Sequence, residues 1–168
     1  MKKPEYMTSL WGSSMVSKTH GRIAFRGRID TLEAEVIEAQ VLSNECGDTA
    51  TCEKLGEILE YLRALMSAEV RNAPLPQLLL FGMNAEEIHR KSHNNPAGGV
   101  FRLPSYTYGP VAARLNTLRA KVRETELVAV RVFGPGNDAD APEREDIILA
   151  LNRLSSALWL LFCDYKGN

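Results

Sequence analysis

A row of polar residues on a predicted helix is the part of this sequence best suited to chemistry. Arg119, Arg123 and Glu126 are three or four residues apart, so they share one side of a helix, with Asn116 one turn earlier. The row borders the apolar residues of the same helix instead of lying opposite to them. Because an unpaired charge beside a core is costly, two arginines there predict an anionic ligand or an internal carboxylate partner.

A second polar group interrupts the last apolar helix of the chain, in the segment Leu-Asn-Arg-Leu-Ser-Ser over residues 151–156. A salt-bridge ladder along one helix is an alternative explanation for the arginines at 119 and 123. The presence of Asn152 and Arg153 on a different helix makes that alternative less favourable. The two polar groups together favour a ligand site.

Size and composition bound the class of protein. The chain has 168 residues, of which 45% are hydrophobic and 24% charged, as expected for one soluble globular domain with a substantial core. Its net charge of −1 gives no indication of a nucleic-acid or membrane partner. Any anion site must therefore be built locally from a few arginines and lysines.

The cysteines and the N-terminus favour a cytoplasmic location. The three cysteines are an odd number without CxxC spacing, which argues against a disulfide framework or a structural zinc cluster. Met1-Lys-Lys is followed by Pro4 and Glu5, without the apolar run of a signal sequence. The apolar stretches also look too short or too interrupted to cross a bilayer.

Periodicity predicts helices and no strands. Apolar residues recur at intervals of three and four in five segments: 22–46, 55–66, 84–93, 110–133, and from about Pro142 to the C-terminus. Asn84 and Glu87 resemble a capping box for the third segment. We therefore predict an all-α fold, with a helical-bundle domain over residues 22–168 that follows a flexible segment over residues 1–21.

Four segments also carry a family resemblance, through their order and spacing. They are Arg22-Ile-Ala-Phe-Arg-Gly-Arg-Ile-Asp-Thr-Leu-Glu33, Gly82-Met-Asn-Ala-Glu-Glu-Ile-His-Arg-Lys-Ser-His93, Leu118-Arg-Ala-Lys-Val-Arg-Glu-Thr-Glu126 and Leu151-Asn-Arg-Leu-Ser-Ser156. From about Thr8 onward the chain resembles the cobalamin adenosyltransferases, most closely their ethanolamine-utilisation branch. The resemblance implies a five-helix bundle that assembles as a homotrimer with active sites between subunits.

The same resemblance implies an activity and its participants. The implied reaction is ATP:cob(I)alamin adenosyltransfer, in which reduced corrinoid cobalt takes the 5′-deoxyadenosyl group of ATP and triphosphate leaves. ATP, Mg²⁺ and a corrinoid (cob(II)alamin reduced to cob(I)alamin) are the expected ligands. Ethanolamine ammonia-lyase and a reductase are the expected partners, in the cytoplasm or within a bacterial microcompartment. A non-catalytic corrinoid carrier or scaffold module is the alternative.

Functional residues of the family can be carried over where its motifs match. Asp30 is expected to pair with Arg119, and Arg123 to contact the phosphates of the nucleotide, with Glu126 just beyond it. Asn152 and Arg153 are expected in the ATP pocket, where the family motif ends in an acid. This chain has Ser156 in the place of that acid.

The N-terminal part and the middle of the chain supply further candidates. Lys18 and Thr19 match the ATP-binding loop and suit phosphate oxygens, although the Thr-Gly-Asp-x-Gly-x-Thr pattern of the propanediol-utilisation branch is absent. Arg22 is assigned to the same cofactor-binding group. Phe101 matches the phenylalanine that packs beneath the corrin ring in that branch, and a loop aromatic that anchors its connection to the core is the alternative.

Two histidines raise the question of a protein-bound metal. His89 and His93 are four residues apart on a predicted helix, a spacing at which histidines can share a metal ion. No convincing third ligand is close in sequence, so we predict no metal ligands from the protein. Structural or substrate-positioning roles for the two histidines are favoured.

Overall fold

Apolar residues at helical spacing build the core of the computed structural model, which describes residues 4–94, 102–137 and 142–165. The elements are β1 (Met7–Trp11), β2 (Ser14–Ser17), α1 (Gly21–Glu45), α2 (Thr49–Val70), β3 (Leu79–Leu80), β4 (Met83–Asn84), α3 (Ala85–His93), a 3₁₀ turn (Tyr106–Tyr108), α4 (Gly109–Phe133) and α5 (Glu145–Asp164). The predicted all-α five-helix bundle is confirmed.

Helix α5 is the most apolar element and lies at the centre of the packing. It packs on α4 and α3, while α1 packs on α2 and α4. Phe25 of α1 meets Phe133 of α4 edge to face, with 5.0 Å between ring centroids, which fixes one end of the α1–α4 pair. Arg28 of α1 approaches Glu124 of α4 within 3.8 Å, so these two helices run antiparallel.

Local signals set where the helices begin and end. The Asp48 carboxylate accepts a hydrogen bond from the backbone N–H of Thr51 and caps α2. Asn84 and Glu87 form the predicted capping box at the start of α3. Gly47, with φ of +75°, allows the tight turn between α1 and α2.

The prediction that the chain contains no strands is wrong. Residues 7–17 form an antiparallel hairpin, β1–β2, within the segment predicted to be flexible, and β3–β4 form a second, two-residue hairpin. Strands of two to five residues are too short to produce a clear alternation of apolar and polar positions. The turn of the second hairpin uses left-handed backbone at Phe81 and Gly82.

Helix α5 also corrects the statement that the apolar stretches are too short or too interrupted to cross a bilayer. Glu145–Asp164 has 20 residues with a mean hydropathy of 1.5 over its most apolar window, enough by length and composition to cross a bilayer. In the bundle, 61% of that window is buried. Its apolar character is thus accounted for by its position in the core.

A buried arginine ties the start of α5 to the connection that follows α2. Arg144 donates from Nε to Asp146 Oδ1 at 2.8 Å and from Nη2 to the Ala73 carbonyl at 2.9 Å. Asp146 Oδ2 accepts from the backbone N–H of Leu75 at 3.3 Å. The hydrogen bond from Arg144 is the main cause that lowers the pKa of Asp146 below 3.8.

This junction predicts a pH-dependent contribution to stability. Because the pKa of Asp146 is lowered in the folded state, its stabilisation is present above the pKa of the unfolded chain and is lost as pH falls through the folded value. We expect Asp146→Asn to reduce the free energy of unfolding by about 1 kcal/mol at pH 7. Urea unfolding at pH 7 and pH 3 should show that the difference from wild type shrinks in acid. An equal difference at both pH values would contradict this assignment.

Candidate active site

A cavity of about 420 Å³ lies along the seam between α4 and α5. The two helices run antiparallel, since Glu126 meets Asn152 at one level and Arg119 meets Trp159 at another. The end of α3 and the segment before the 3₁₀ turn close the other sides. The cavity is lined by Ser92, His93, Arg102, Leu103, Pro104, Arg119, Arg123, Ser155, Ser156 and Trp159.

Arg119 is held at the edge of this cavity by neutral groups. Its Nε and Nη2 both donate to Asn116 Oδ1, at 3.2 and 3.1 Å, and its guanidinium lies 5.9 Å from the centre of the Trp159 ring. Burial lowers the pKa of Arg119, and the positive charge of Arg123 lowers it further. Both causes act against the charged form, so an anion placed here would be stabilised.

The arginines along the seam have no ion-pair partner in the parts of the chain that the structure describes. Across residues 4–94, 102–137 and 142–165, no carboxylate forms an ion pair with Arg119, Arg123 or Arg153. Arg123 is exposed and lines the cavity directly. Guanidinium groups are the side chains best suited to phosphate and carboxylate oxygens, so the cavity is suited to an anionic ligand.

The predicted residues Glu126, Asn152 and Arg153 are joined in one hydrogen-bonded chain. Asn152 Nδ2 donates to Glu126 Oε1 at 3.0 Å, and Arg153 Nη1 donates to Asn152 Oδ1 at 2.5 Å. The Ser155 hydroxyl donates to the Asn152 carbonyl at 2.8 Å. These contacts fix the Asn152 amide and place the predicted polar groups of α4 and α5 side by side.

One side of the cavity is aromatic, formed by Trp159, and the sequence analysis did not identify Trp159 or the Phe162 behind it. Trp159 stacks on Phe162 with 5.5 Å between ring centroids, and Phe162 meets Tyr108 edge to face. Trp159 lies seven residues after Asn152, which is two helical turns, so helical periodicity could have placed it on the same side of α5.

Arg102 is a second residue of the cavity that the sequence analysis did not single out. Its Nη1 donates to the carbonyls of Phe162, Cys163 and Tyr165, at 3.2, 3.0 and 2.5 Å, and its guanidinium lies over the Tyr108 ring at 4.2 Å. A cation at the C-terminal end of a helix satisfies carbonyls that have no partner within the helix. Arg102 thus fixes one wall of the cavity to the end of α5.

Arg22 lies apart from this cavity and forms contacts with α2. It is completely buried, and its Nε donates to Glu69 Oε1 at 2.5 Å while its Nη2 donates to the Glu69 carbonyl at 2.9 Å. The side chain points from the first turn of α1 toward α2. These contacts are structural, and the assignment of Arg22 to cofactor binding stays a prediction.

Asp30 and Arg119 do not pair within one chain. Asp30 is exposed and forms no ion pair with Arg119 in the described parts of the structure. Ile29 faces the core completely buried, and the next residue lies about 100° further round the helix. The predicted pair is thus not formed within one chain. A pair between two copies of the chain stays a prediction.

Lys18 and Thr19 do not line the cavity. Lys18 and Thr19 are exposed between β2 and α1, and the Thr19 hydroxyl shares a hydrogen bond with Ser17 at 2.8 Å. Phe101 lies outside the described residues. The predicted contacts of Lys18 and Thr19 with triphosphate, and of Phe101 with a corrin ring, stay predictions.

The rings of His89 and His93 lie next to each other on α3, tilted by 47° with 4.3 Å between ring centroids. His93 Nδ1 lies 2.9 Å from the His89 carbonyl, and only His93 lines the cavity. Desolvation is the largest cause that lowers the pKa of His89, followed by the positive charges of Arg153 and His93. Among the described residues, no three His, Cys, Asp or Glu side chains are grouped as metal ligands would be.

Comparison with known proteins places this arrangement in a family. Residues 2–165 match the family model described as cobalamin adenosyltransferase. The chain is 34% identical over 163 residues to the corrinoid adenosyltransferase EutT of Salmonella typhimurium strain LT2, which covers 96% of this chain and 59% of that protein. It is 35% identical over 162 residues to EutT of Escherichia coli strain K12, covering 95% and 58%. The chain thus spans just under three fifths of the length of these relatives.

A solved structure has the same fold. It is a variant of a PduO-type ATP:corrinoid adenosyltransferase from Lactobacillus reuteri, in complex with cobalamin and ATP. The superposition has a TM-score of 0.71 at 18% identity and covers 94% of this chain and 87% of that one. With a family model that matches nearly its whole length, the chain belongs to the cobalamin adenosyltransferase family.

Proposed function

We propose that the protein transfers the 5′-deoxyadenosyl group of ATP to the reduced cobalt of a corrinoid, with release of triphosphate. The observation that carries this proposal is the pair Arg119 and Arg123, which line a cavity without a carboxylate partner among the described residues. A triphosphate leaving group supplies the negative charge that such a pair lacks. The names of the matched relatives, corrinoid adenosyltransferases, support the same reaction.

The reaction requires positioning and charge stabilisation more than a protein nucleophile or base. The electron pair of cob(I)alamin forms the bond to C5′ of ATP, and the C5′–O bond breaks with its electrons leaving on triphosphate. Arg123, exposed in the cavity, would contact the departing phosphates. The hydrogen bonds to Asn116 fix the orientation of the Arg119 guanidinium beside it. Mg²⁺ bound to ATP would neutralise part of the same charge.

The rest of the cavity fits a large planar ligand beside the phosphates. Trp159 lines the cavity with an aromatic ring that stacks on the buried Phe162, and Arg102 binds the end of the same helix. Such a surface would exclude water from the reduced metal centre of the corrinoid substrate. Asn152, fixed between Glu126 and Arg153, would offer its polar groups to the nucleotide.

We also propose that the site is completed by a second copy in a homotrimer. A cavity of about 420 Å³ is smaller than a corrinoid and ATP together require. Leu127, Val130 and Leu149 are 71%, 46% and 47% exposed on the α4 and α5 surface that continues from Arg123. Clustered apolar side chains of this kind mark protein interfaces. Asp30 and Lys18 of a neighbouring subunit could then reach the seam.

The physiological setting follows from the ethanolamine-utilisation branch of the family. Ethanolamine ammonia-lyase is the enzyme we propose to consume the adenosylcobalamin, with a reductase that supplies the reduced corrinoid. We propose the cytoplasm, or a bacterial microcompartment within it, as the place where these proteins meet.

The proposed reaction predicts the behaviour of two matched arginine variants. Wild-type protein with ATP and chemically reduced cobalamin should give the absorbance spectrum of the adenosyl form and release one triphosphate. Arg123→Ala should weaken ATP binding by about 10- to 100-fold, since a hydrogen bond to a charged group contributes about 1.5–3 kcal/mol. Arg114→Ala is the control, because Arg114 lies on the same helix but pairs with Glu38 at 3.2 Å.

Calorimetry for ATP and the spectral assay measure the two effects separately. Equal ATP affinity in wild type and Arg123→Ala would remove Arg123 from the phosphate site. A corrinoid that binds to wild type but is never converted would contradict the enzyme and support the alternative, a corrinoid carrier or scaffold. The Ser at position 156, where the family has an acid, is the feature that makes this alternative worth testing.

The homotrimer makes a second prediction. Leu127→Glu should dissociate the assembly and reduce activity by at least about tenfold, because a charge would replace an apolar contact at the interface. Leu79→Glu is the control, since Leu79 is 63% exposed on β3, away from the α4 and α5 surface. Light scattering at assay concentrations measures the mass. A fully active wild-type monomer would contradict the shared site.

A further inference from the structure

A buried charged cluster lies where α1, α2 and the N-terminal hairpin meet. Glu69, in the last turn of α2, is completely buried and accepts hydrogen bonds from Arg22 Nε and Arg26 Nε, each at 2.5 Å. Arg22 is completely buried as well, and the Arg26 side chain is 15% exposed. We call Arg22, Arg26 and Glu69 the hairpin clasp.

Both arginines of the hairpin clasp also hold the hairpin. Arg26 Nη1 donates to the Leu10 carbonyl at 2.9 Å, and the Trp11 ring lies 4.4 Å from the Arg22 guanidinium carbon. Leu10 and Trp11 are the last two residues of β1. The clasp thus reaches β1 through one backbone contact and one ring contact.

An irregularity in the hairpin makes the backbone contact available. The strands pair Ser9 with Met15 and then Trp11 with Ser14, so Leu10 is left out of the register as the extra residue of a bulge. A bulge residue has no place in the ladder, which leaves its carbonyl free for Arg26. Its side chain points inward and is 6% exposed. The hairpin is therefore shaped to fit the clasp.

The energetics of the clasp indicate that it orients the hairpin more than it stabilises the fold. Burying charged groups has a large desolvation penalty, and well-packed apolar residues of similar size often stabilise a fold equally well. Two arginines share one carboxylate here, and Arg22 Nη1 has no hydrogen-bond partner in the described parts of the chain. The charged clasp provides directional contacts to Leu10 and Trp11. Apolar residues in the same place would not provide them.

We propose that Glu69 is a positioning residue for ATP, which acts through Arg22 and Arg26 on the hairpin that precedes Lys18 and Thr19. The far strand β2 ends at Ser17, and Lys18 N–H donates to the Tyr6 carbonyl at 2.8 Å. Holding β1 therefore holds the start of the segment with the phosphate-binding candidates. This inference rests on the proposed function, because it takes ATP as the ligand of that segment.

Arg26→Gln is the most selective test, because it removes the contact to Leu10 and leaves Arg22 paired with Glu69. Arg28→Gln is its matched control: the same change two residues further on, in an exposed pair with Glu124 that does not touch the hairpin. Glu69→Gln tests the carboxylate itself. Asp146→Asn is the control for that variant, since it removes a carboxylate from a different arginine junction.

Two readouts separate positioning from a general loss of stability. Hydrogen exchange of residues 7–17 reports whether the hairpin is held, and steady-state kinetics separate the KM for ATP from kcat and from corrinoid affinity. For Arg26→Gln we expect hairpin exchange and the KM for ATP each to rise by about tenfold, with corrinoid affinity unchanged. Glu69→Gln should shift both quantities further in the same direction. The two control variants should shift neither.

The inference would be overturned by unchanged hairpin exchange in both Arg26→Gln and Glu69→Gln, or by faster exchange with an unchanged KM for ATP. A shift in KM that also occurs in the Asp146→Asn control would likewise overturn it. Failure of the proposed function gives a different result. In that case wild-type protein forms no adenosylcobalamin, while calorimetry for ATP on the Arg26→Gln and Arg28→Gln variants still decides whether the clasp positions a nucleotide.

Discussion

The burial of α5 against α4 and α3 is the constraint on which the rest of this structure depends. Its apolar residues Leu151, Leu154 and Leu158 are completely buried, so polar residues of the helix have little space except along its border with α4. Asn152 and Trp159 lie on that border. The antiparallel packing of the two helices then sets Arg119 and Arg123 beside them. The position of the cavity is therefore set by the packing of α5 against α4.

Two kinds of arginine can be distinguished in this fold by what surrounds them. Arg22 and Arg144 are buried with a carboxylate beside each, and both join the elements of the bundle. Arg119 and Arg123 lie one helical turn apart, without such a partner in the described residues, where like charges destabilise a helix slightly. The two neighbouring positive charges are explained if a ligand supplies the negative charge that balances them.

Much of the fold could be predicted from the sequence because the helices are long and periodic. The intervals of three and four between residues 110 and 133, for example, matched α4 to within one residue. Helical spacing also predicted which polar residues of α4 share a side, whereas the contact of Glu126 with Asn152 depends on how α4 and α5 pack. The hairpin at residues 7–17 was missed because short strands leave little pattern to detect.

Contacts between residues far apart in sequence were not predictable from one chain. Arg22 and Glu69 are 47 positions apart, and nothing in either local segment indicates that they pair. Arg102 and the carbonyls at the end of α5 are about 60 positions apart. The position of Asp30 depends on the small rotation of α1 that turns Ile29 inward. Such contacts are decided by how helices pack, which propensity and periodicity do not describe.

Competition calorimetry tests most directly whether the arginines of the α4–α5 seam form a site for triphosphate. ATP would be titrated into wild-type protein with and without inorganic tripolyphosphate, at low and high salt. Tripolyphosphate is expected to compete with ATP, and its binding is expected to weaken as salt increases. Arg119→Ala is expected to remove this competition. Tripolyphosphate that fails to displace ATP, or that binds equally well to Arg119→Ala, would contradict a triphosphate site at the seam.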